Sequence, residues 1–163
     1  MQNVYSKTVT NTEARSLAVN EIMSNPVVTA TEKTSIRDIA RLMKKHRIDA
    51  VVITNKGKEP VGIITEGDIV RRLVSAKRNL WFVKAKHVMS KHVLTTTGRV
   101  MIEDAARRMA ENRVSKLCVV DDYNKVVGML TTDDITKNAG CLINLLQEII
   151  ETGYTMGETT EKF

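Results

Sequence analysis

The chain has 163 residues and 18.3 kDa, 42% hydrophobic and 27% charged, the makeup of one ordinary globular domain or two very small ones packed together. That length leaves no room for a large multidomain enzyme. Twenty-five basic residues against nineteen acidic ones give a net charge of +6 and a pI near 9.4, which favours anionic partners without naming one.

The first residues, Met1 to Asn11, are polar rather than basic and then apolar, and no apolar run approaches the roughly 18–20 residues of a membrane span. A cytoplasmic protein with no membrane partner is therefore expected, and residues 1–17 read as an N-terminal extension. A first unit spans residues 18–76. It opens with a short strand near Val27, followed by Ile36, Ile39, Ala40 and Met43 at i, i+3, i+4 and i+7, the apolar face of a helix. Ala50–Ile53 is a continuous β-branched run, as in a strand buried on both faces. The turn cluster Asn55–Lys58 and a second apolar run, Val61–Ile64, complete a hairpin, and another helix should start near Thr65.

Residues 77–84 form a basic connector. Between Asp68 and Glu103 there is no acidic residue, while Arg71, Arg72, Lys77, Arg78, Lys84, Lys86, Lys91 and Arg99 all fall there. This stretch reads either as a solvated surface or as a site for phosphates, free or in a nucleic acid. Trp81 and Phe82 either anchor the connector on the core or offer stacking surfaces to a nucleic acid, although no nucleic-acid reading motif accompanies them.

A second unit, residues 85–139, repeats the first without a gap. Met23-Ser24 recurs as Met89-Ser90, an offset of 89 − 23 = 66, and the same offset pairs Ile36 with Ile102, Met43 with Met109, Arg47 with Arg113 and Asp68-Ile69 with Asp134-Ile135. Leu117–Val120 and Val126–Leu130 repeat the two strands, and the thiol of Cys118 inside the first of them is expected to be buried and reduced. Neither Cys118 nor Cys141 belongs to a CxxC pair. Residues 140–163 read as a C-terminal helix, with an apolar stripe through Leu142, Ile143, Leu146, Ile149 and Ile150, and a tail beyond Gly153. The stripe covers either the chain's own core or a second chain.

One unit of about 55 residues buries only about 60% of its unfolded surface and is marginal alone. The two should pack as one α+β pseudo-twofold pair, two tandem β-α-β-β-α repeats with clefts at their joint. Such clefts are the default ligand sites. Each unit also carries Gly, two apolar residues, Thr, two variable residues and Asp, as Gly62–Asp68 and Gly128–Asp134. Thr followed three residues later by a carboxylate fits a capping box, worth about 1 kcal/mol. It equally fits an Asp that accepts hydrogen bonds from a ribose diol, with Thr beside it and Gly opening the strand end to a ligand. The two roles are compatible.

The gapless repeat, the Met-Ser steps, the stretches Arg47-Ile48-Asp49-Ala50 and Arg113-Val114-Ser115-Lys116, and the two Gly-h-h-Thr-x-x-Asp motifs resemble a pair of cystathionine β-synthase (CBS) domains, a Bateman module. The resemblance runs from about Ala18 to Ala139. It implies a module that binds AMP, ADP, ATP or S-adenosylmethionine as a regulatory ligand, needs no cofactor, and regulates a partner rather than catalysing a reaction. It also implies a homodimer. Carried over by position, Asp68 and Thr65 face the base-contacting Leu94, Val114, Ser115 and Lys116, while Asp134 and Thr131 face Val28, Ile48, Asp49 and Ala50. Lys45, His46, Arg47 and Arg113 are candidates for phosphate contacts.

The sequence departs from that pattern in two respects. A proline commonly follows the base-contacting stretch, where this chain has Val52 and Cys118. Asp49 replaces a small or hydroxyl residue, so a cleft around Asp134 that also held Asp49 and Asp133 would carry three carboxylates. Like charges about 5 Å apart at an effective dielectric near 20 repel by roughly 3 kcal/mol. The Asp68 site is therefore expected to take phosphorylated adenosine, and the Asp134 site to stay empty or prefer an uncharged or cationic ligand. His46, His87 and His92 have no ligand partners at metal-binding spacing, and neither a phosphate-binding P-loop nor a GxSxG nucleophile is present.

Overall fold

The computed structural model describes residues 16–75 and 82–138. Each repeat forms a three-stranded sheet, β1 (Thr29–Thr31), β2 (Ala50–Thr54) and β3 (Pro60–Thr65) in the first, β4 (Thr95–Thr97), β5 (Lys116–Val120) and β6 (Val126–Thr131) in the second. The first two strands pair in parallel, which requires a crossover, and the long helix supplies it. These helices are α2 (Ile36–His46) and α4 (Ile102–Asn112). The hairpins β2–β3 and β5–β6 are antiparallel, with register shifts at Ile53/Thr54 and Val119/Val120, equivalent positions in the two repeats.

Local chemistry explains the boundaries. Ser35 caps α2, its Oγ accepting from Asp38 N at 3.1 Å. Arg47 ends α2 and Arg113 ends α4 in the left-handed region, at φ 54° and φ 52°. The amides of Ile48 and Val114 then bond back to the carbonyls of Met43 and Met109. This is a Schellman ending, in which the left-handed residue is usually glycine. The second helices begin where the motif predicted. Thr65 caps α3 (Glu66–Ile69), which continues as a π-helical turn, Val70–Val74, and Thr131 caps α5 (Thr132–Lys137).

The cores show how the repeats are joined. The first sheet packs with α2 through Ile36, Ile39, Met43, Val51, Ile53 and Ile64, and Ala85, Val88 and Met89 of the second repeat complete that cluster. In return Val19 from the short α1 (Val19–Ile22), with Met23 against it, joins the core of Ala105, Met109, Leu117 and Leu130. Each repeat's opening segment therefore packs on its partner repeat. Backbone bridges fix the exchange: Ser24 with Met129 and Ser90 with Ile63. A third cluster, Val52, Cys118, Val120 and Met129, lies between the sheets. Periodicity located these buried faces but could not tell which repeat each would be buried against.

Phe82 is 80% exposed, so it does not anchor the connector to the core. Trp81, the N-terminal extension as far as residue 15, Cys141 and the C-terminal stripe lie outside the described residues. Among the described residues no helix is long and apolar enough to cross a membrane.

Candidate functional site

Among the described residues, two clefts lie at the joint. The larger, about 430 Å³, has an apolar wall of Ile63, Val93, Leu94, Val114 and Cys118 and a polar wall of Thr65, Asp68, Ser90 and Ser115. Arg71, His92, Arg113 and Lys116 add basic groups. The smaller, about 110 Å³, is lined by Ser24, Pro26, Val27, Val28, Ile48, Asp49, Ala50, Lys116, Met129 and Thr131. Apart from Lys116, every residue of the smaller wall has its 66-residue counterpart in the larger. They are two editions of one site.

At the larger cleft the end of β3 delivers Thr65, and the first turn of α3 delivers Asp68. Asp68 Oδ2 accepts from Thr65 N at 3.0 Å and Thr65 Oγ1 at 2.8 Å, while Thr65 Oγ1 accepts from Asp68 N at 3.2 Å. This capping box consumes one carboxylate oxygen. Oδ1 faces Arg72 Nε at 3.5 Å and Arg71 at 3.9 Å. Arg72 also donates to Val88 O at 2.6 Å and Ser90 Oγ at 3.3 Å, tying the segment exchanged from the second repeat to Asp68. The buried carboxylate, 6% exposed, is thus held as part of a charged network. Burial of Cys118 between the sheets pushes its thiol up to about 11.

The residues predicted for the first site, Thr65, Asp68, Leu94, Val114, Ser115 and Lys116, all meet in the larger cleft, and Arg113 joins them. Lys45, His46 and Arg47 do not reach either cleft. They are exposed at the last turn of α2, where their charge suits the carbonyl end of the helix. In the smaller cleft Val28, Ile48, Asp49, Ala50 and Thr131 come together, but Asp134 is not part of the wall. Its Oδ2 is held by Thr131 N and Oγ1 at 2.9 and 2.7 Å, as in the first repeat. Lys116 reaches into the smaller cleft as well as the larger, whereas its counterpart Ala50 lines only the smaller.

The three carboxylates expected in the smaller cleft therefore do not share its wall. Asp133 is absent from the wall as well, and Asp49 Oδ2 pairs with Lys116 Nζ at 2.7 Å. Nor does glycine open the strand end to a ligand. A Cβ at Gly62 or Gly128 would collide with Met89 or Met23, the methionines of the two Met-Ser steps. Sequence reasoning missed Arg71, Ser90 and His92 at the larger cleft. Ser90 and His92 were findable, because Ser90 belongs to the Met-Ser step that the exchange carries to the opposite sheet and His92 lies two residues beyond it.

The sequence model of the CBS domain matches residues 19–75 and 85–140. The chain belongs to the CBS domain family. As a tandem CBS pair, it is 34% identical over 134 residues to an uncharacterised protein of Methanopyrus kandleri, with 82% of this chain and 68% of that protein covered. It is 33% identical over 122 residues to the L-aspartate semialdehyde sulfurtransferase of Methanocaldococcus jannaschii, matching 75% of this chain but only 23% of the enzyme. The CBS pair thus spans about a quarter of that relative.

Among solved structures, a CBS domain pair in complex with 5′-methylthioadenosine and S-adenosyl-L-methionine superposes with a TM-score of 0.70 at 32% identity, covering 77% of this chain and 98% of that one. A CBS domain protein of Pyrobaculum aerophilum complexed with AMP superposes with a TM-score of 0.73 at 25% identity, covering 80% and 99%.

Proposed function

We propose that this CBS pair is a regulatory module that binds a phosphorylated adenosine, with AMP as the simplest case, in the larger cleft. The observation that carries the reading is the convergence, on one apolar-walled cleft, of Asp68 from the first repeat with Arg113, Ser115 and Lys116 from the second. The apolar wall suits a base, Asp68 Oδ1 suits a ribose diol, and the guanidinium and ammonium groups suit a phosphate. The volume falls within the usual range for small-ligand pockets, about 300–1,000 Å³. The solved CBS pairs with AMP and with S-adenosylmethionine support the ligand class.

Because the groups belong to both repeats, a ligand there bridges them and stabilises one relative arrangement. That is how occupancy would reach a regulated partner or a second copy in a homodimer. The smaller cleft, about 110 Å³ with Asp49 and Lys116 paired in its wall, would have to widen to take an uncharged or cationic adenosyl ligand. Isothermal titration tests the reading: AMP should bind one strong site, adenosine should bind more weakly for lack of a phosphate, and GMP should not compete. Equal binding of AMP and GMP would contradict it.

A second reading, single-stranded nucleic acid on the basic connector, is favoured by the exposed ring of Phe82. It requires affinity that falls steeply with salt and shows no preference for adenine.

A further inference from the structure

Among the described residues, Lys116 is the one in the walls of both clefts. It begins β5, and its side chain is only 15% exposed, so its ammonium needs a partner. That partner is Asp49, on the opposite repeat, at 2.7 Å; Ser115 Oγ, at 3.5 Å, is the other polar neighbour. Asp49 is itself 61% exposed and faces the smaller cleft. The charge of one cleft is therefore neutralised by a group that the other cleft also needs.

We infer that Lys116 is a shared counter-ion that couples the two clefts, so that an anionic ligand in the larger one and a cationic ligand in the smaller one bind each other's complex more tightly. The inference rests on the adenosyl-ligand reading above and extends it to the relation between the sites. A phosphate in the larger cleft competes with Asp49 for the ammonium. Once Lys116 turns to the phosphate, Asp49 is left without its cation and the smaller cleft gains negative charge. A sulfonium or other cation there restores the balance, and a neutral ligand does not. Linkage makes the effect reciprocal: a cation on Asp49 releases Lys116 and raises the affinity of the larger cleft for phosphate. Two phosphorylated ligands oppose each other, because one ammonium serves only one of them.

The test is calorimetric titration of AMP into the full chain, alone and with saturating S-adenosylmethionine or 5′-methylthioadenosine, which share the adenosine but differ in charge. S-adenosylmethionine should tighten AMP binding by about 5-fold or more, the lower range of allosteric couplings, and 5′-methylthioadenosine should leave it unchanged. Asp49→Asn, at an exposed position, should mimic the cation: AMP tightens by a similar factor and the S-adenosylmethionine effect vanishes.

In a Lys116→Met background, Asp49→Asn should have little further effect. A cycle with Asp49→Asn effects equal in the two backgrounds would mean that Asp49 acts by its general field and would overturn the role of Lys116. Equal tightening by the cationic and neutral ligands would overturn it as well, as would two AMP molecules binding with equal affinity. Absence of any AMP binding would remove the adenosyl reading and this inference together, whereas AMP binding indifferent to all three perturbations would remove this inference alone.

Discussion

A Cβ on Gly62 would lie 2.8 Å from Cγ of Met89 and nearer still to its Sδ, so a methionine of the second repeat fills the notch left by a glycine of the first. The relation recurs between Gly128 and Met23. Gly62 therefore keys the two repeats together, and Gly62→Ala should cost about 1–3 kcal/mol by overpacking. Urea denaturation measures this. Met89→Ala in the same chain should recover part of the loss, and strictly additive effects would argue against direct contact.

Thr65–Asp68 and Thr131–Asp134 form the same capping box, but only Asp68 lines the larger cleft. Asp134→Ala should lose about 1 kcal/mol of stability from the capping box, and Asp68→Ala somewhat more, because it also takes the carboxylate from Arg72. Only Asp68→Ala should also weaken AMP, by the roughly 1.5–3 kcal/mol of a charge-assisted hydrogen bond. Titration of both variants decides it, and an equal loss of AMP affinity in the two would contradict the assignment.

Arg113 and Arg47 both hold a left-handed conformation that costs an L residue about 1–2 kcal/mol. Glycine relieves that strain while loosening the unfolded chain, so Arg113→Gly and Arg47→Gly should leave stability level or raised by up to about 1 kcal/mol. Arg113 lines the larger cleft and Arg47 does not. Arg113→Gly should therefore weaken AMP about 10-fold without changing adenosine, and Arg47→Gly should change neither. Loss of adenosine binding in Arg113→Gly would show that this arginine shapes the cleft rather than meeting a phosphate.

Burial raises the Cys118 thiol from 9.0 to about 11, so at pH 8 it should hold about 100-fold less thiolate than an ordinary cysteine. The folded state favours the neutral thiol. Its contribution to stability is complete below pH 9 and declines as pH rises towards 11. In a Cys141→Ser background, iodoacetamide should modify the folded protein slowly at pH 8 and faster as pH climbs. Labelling at the rate of the unfolded chain would contradict the burial.

Much of this architecture is legible in the sequence because it is local. The spacing of Ile36, Ile39 and Met43 gives α2, the run Ala50–Ile53 gives β2, and Thr65 gives the start of α3, each from interactions within a few residues. The 66-residue offset then doubles every such inference. What was not legible depends on contacts between the repeats. Val19 and Ala85 read as apolar residues opening their own units, and only three dimensions show each buried in the other. Asp49 likewise read as one of three clustered carboxylates, because sequence could not place Lys116 across from it.

The central claim is that the Asp68 cleft binds adenosyl ligands, and scanning fluorimetry of the wild type and Asp68→Ala with AMP, ADP, ATP, S-adenosylmethionine, NAD and GTP tests it most directly. Ligand at about 100 times its dissociation constant adds roughly 2.7 kcal/mol. For a chain of this size that is a rise in Tm on the order of 5–10 °C. The prediction is such a rise with AMP or another phosphorylated adenosine, none with GTP, and a much smaller one in Asp68→Ala. A flat response to every adenosyl ligand, or equal shifts in wild type and Asp68→Ala, would contradict the claim.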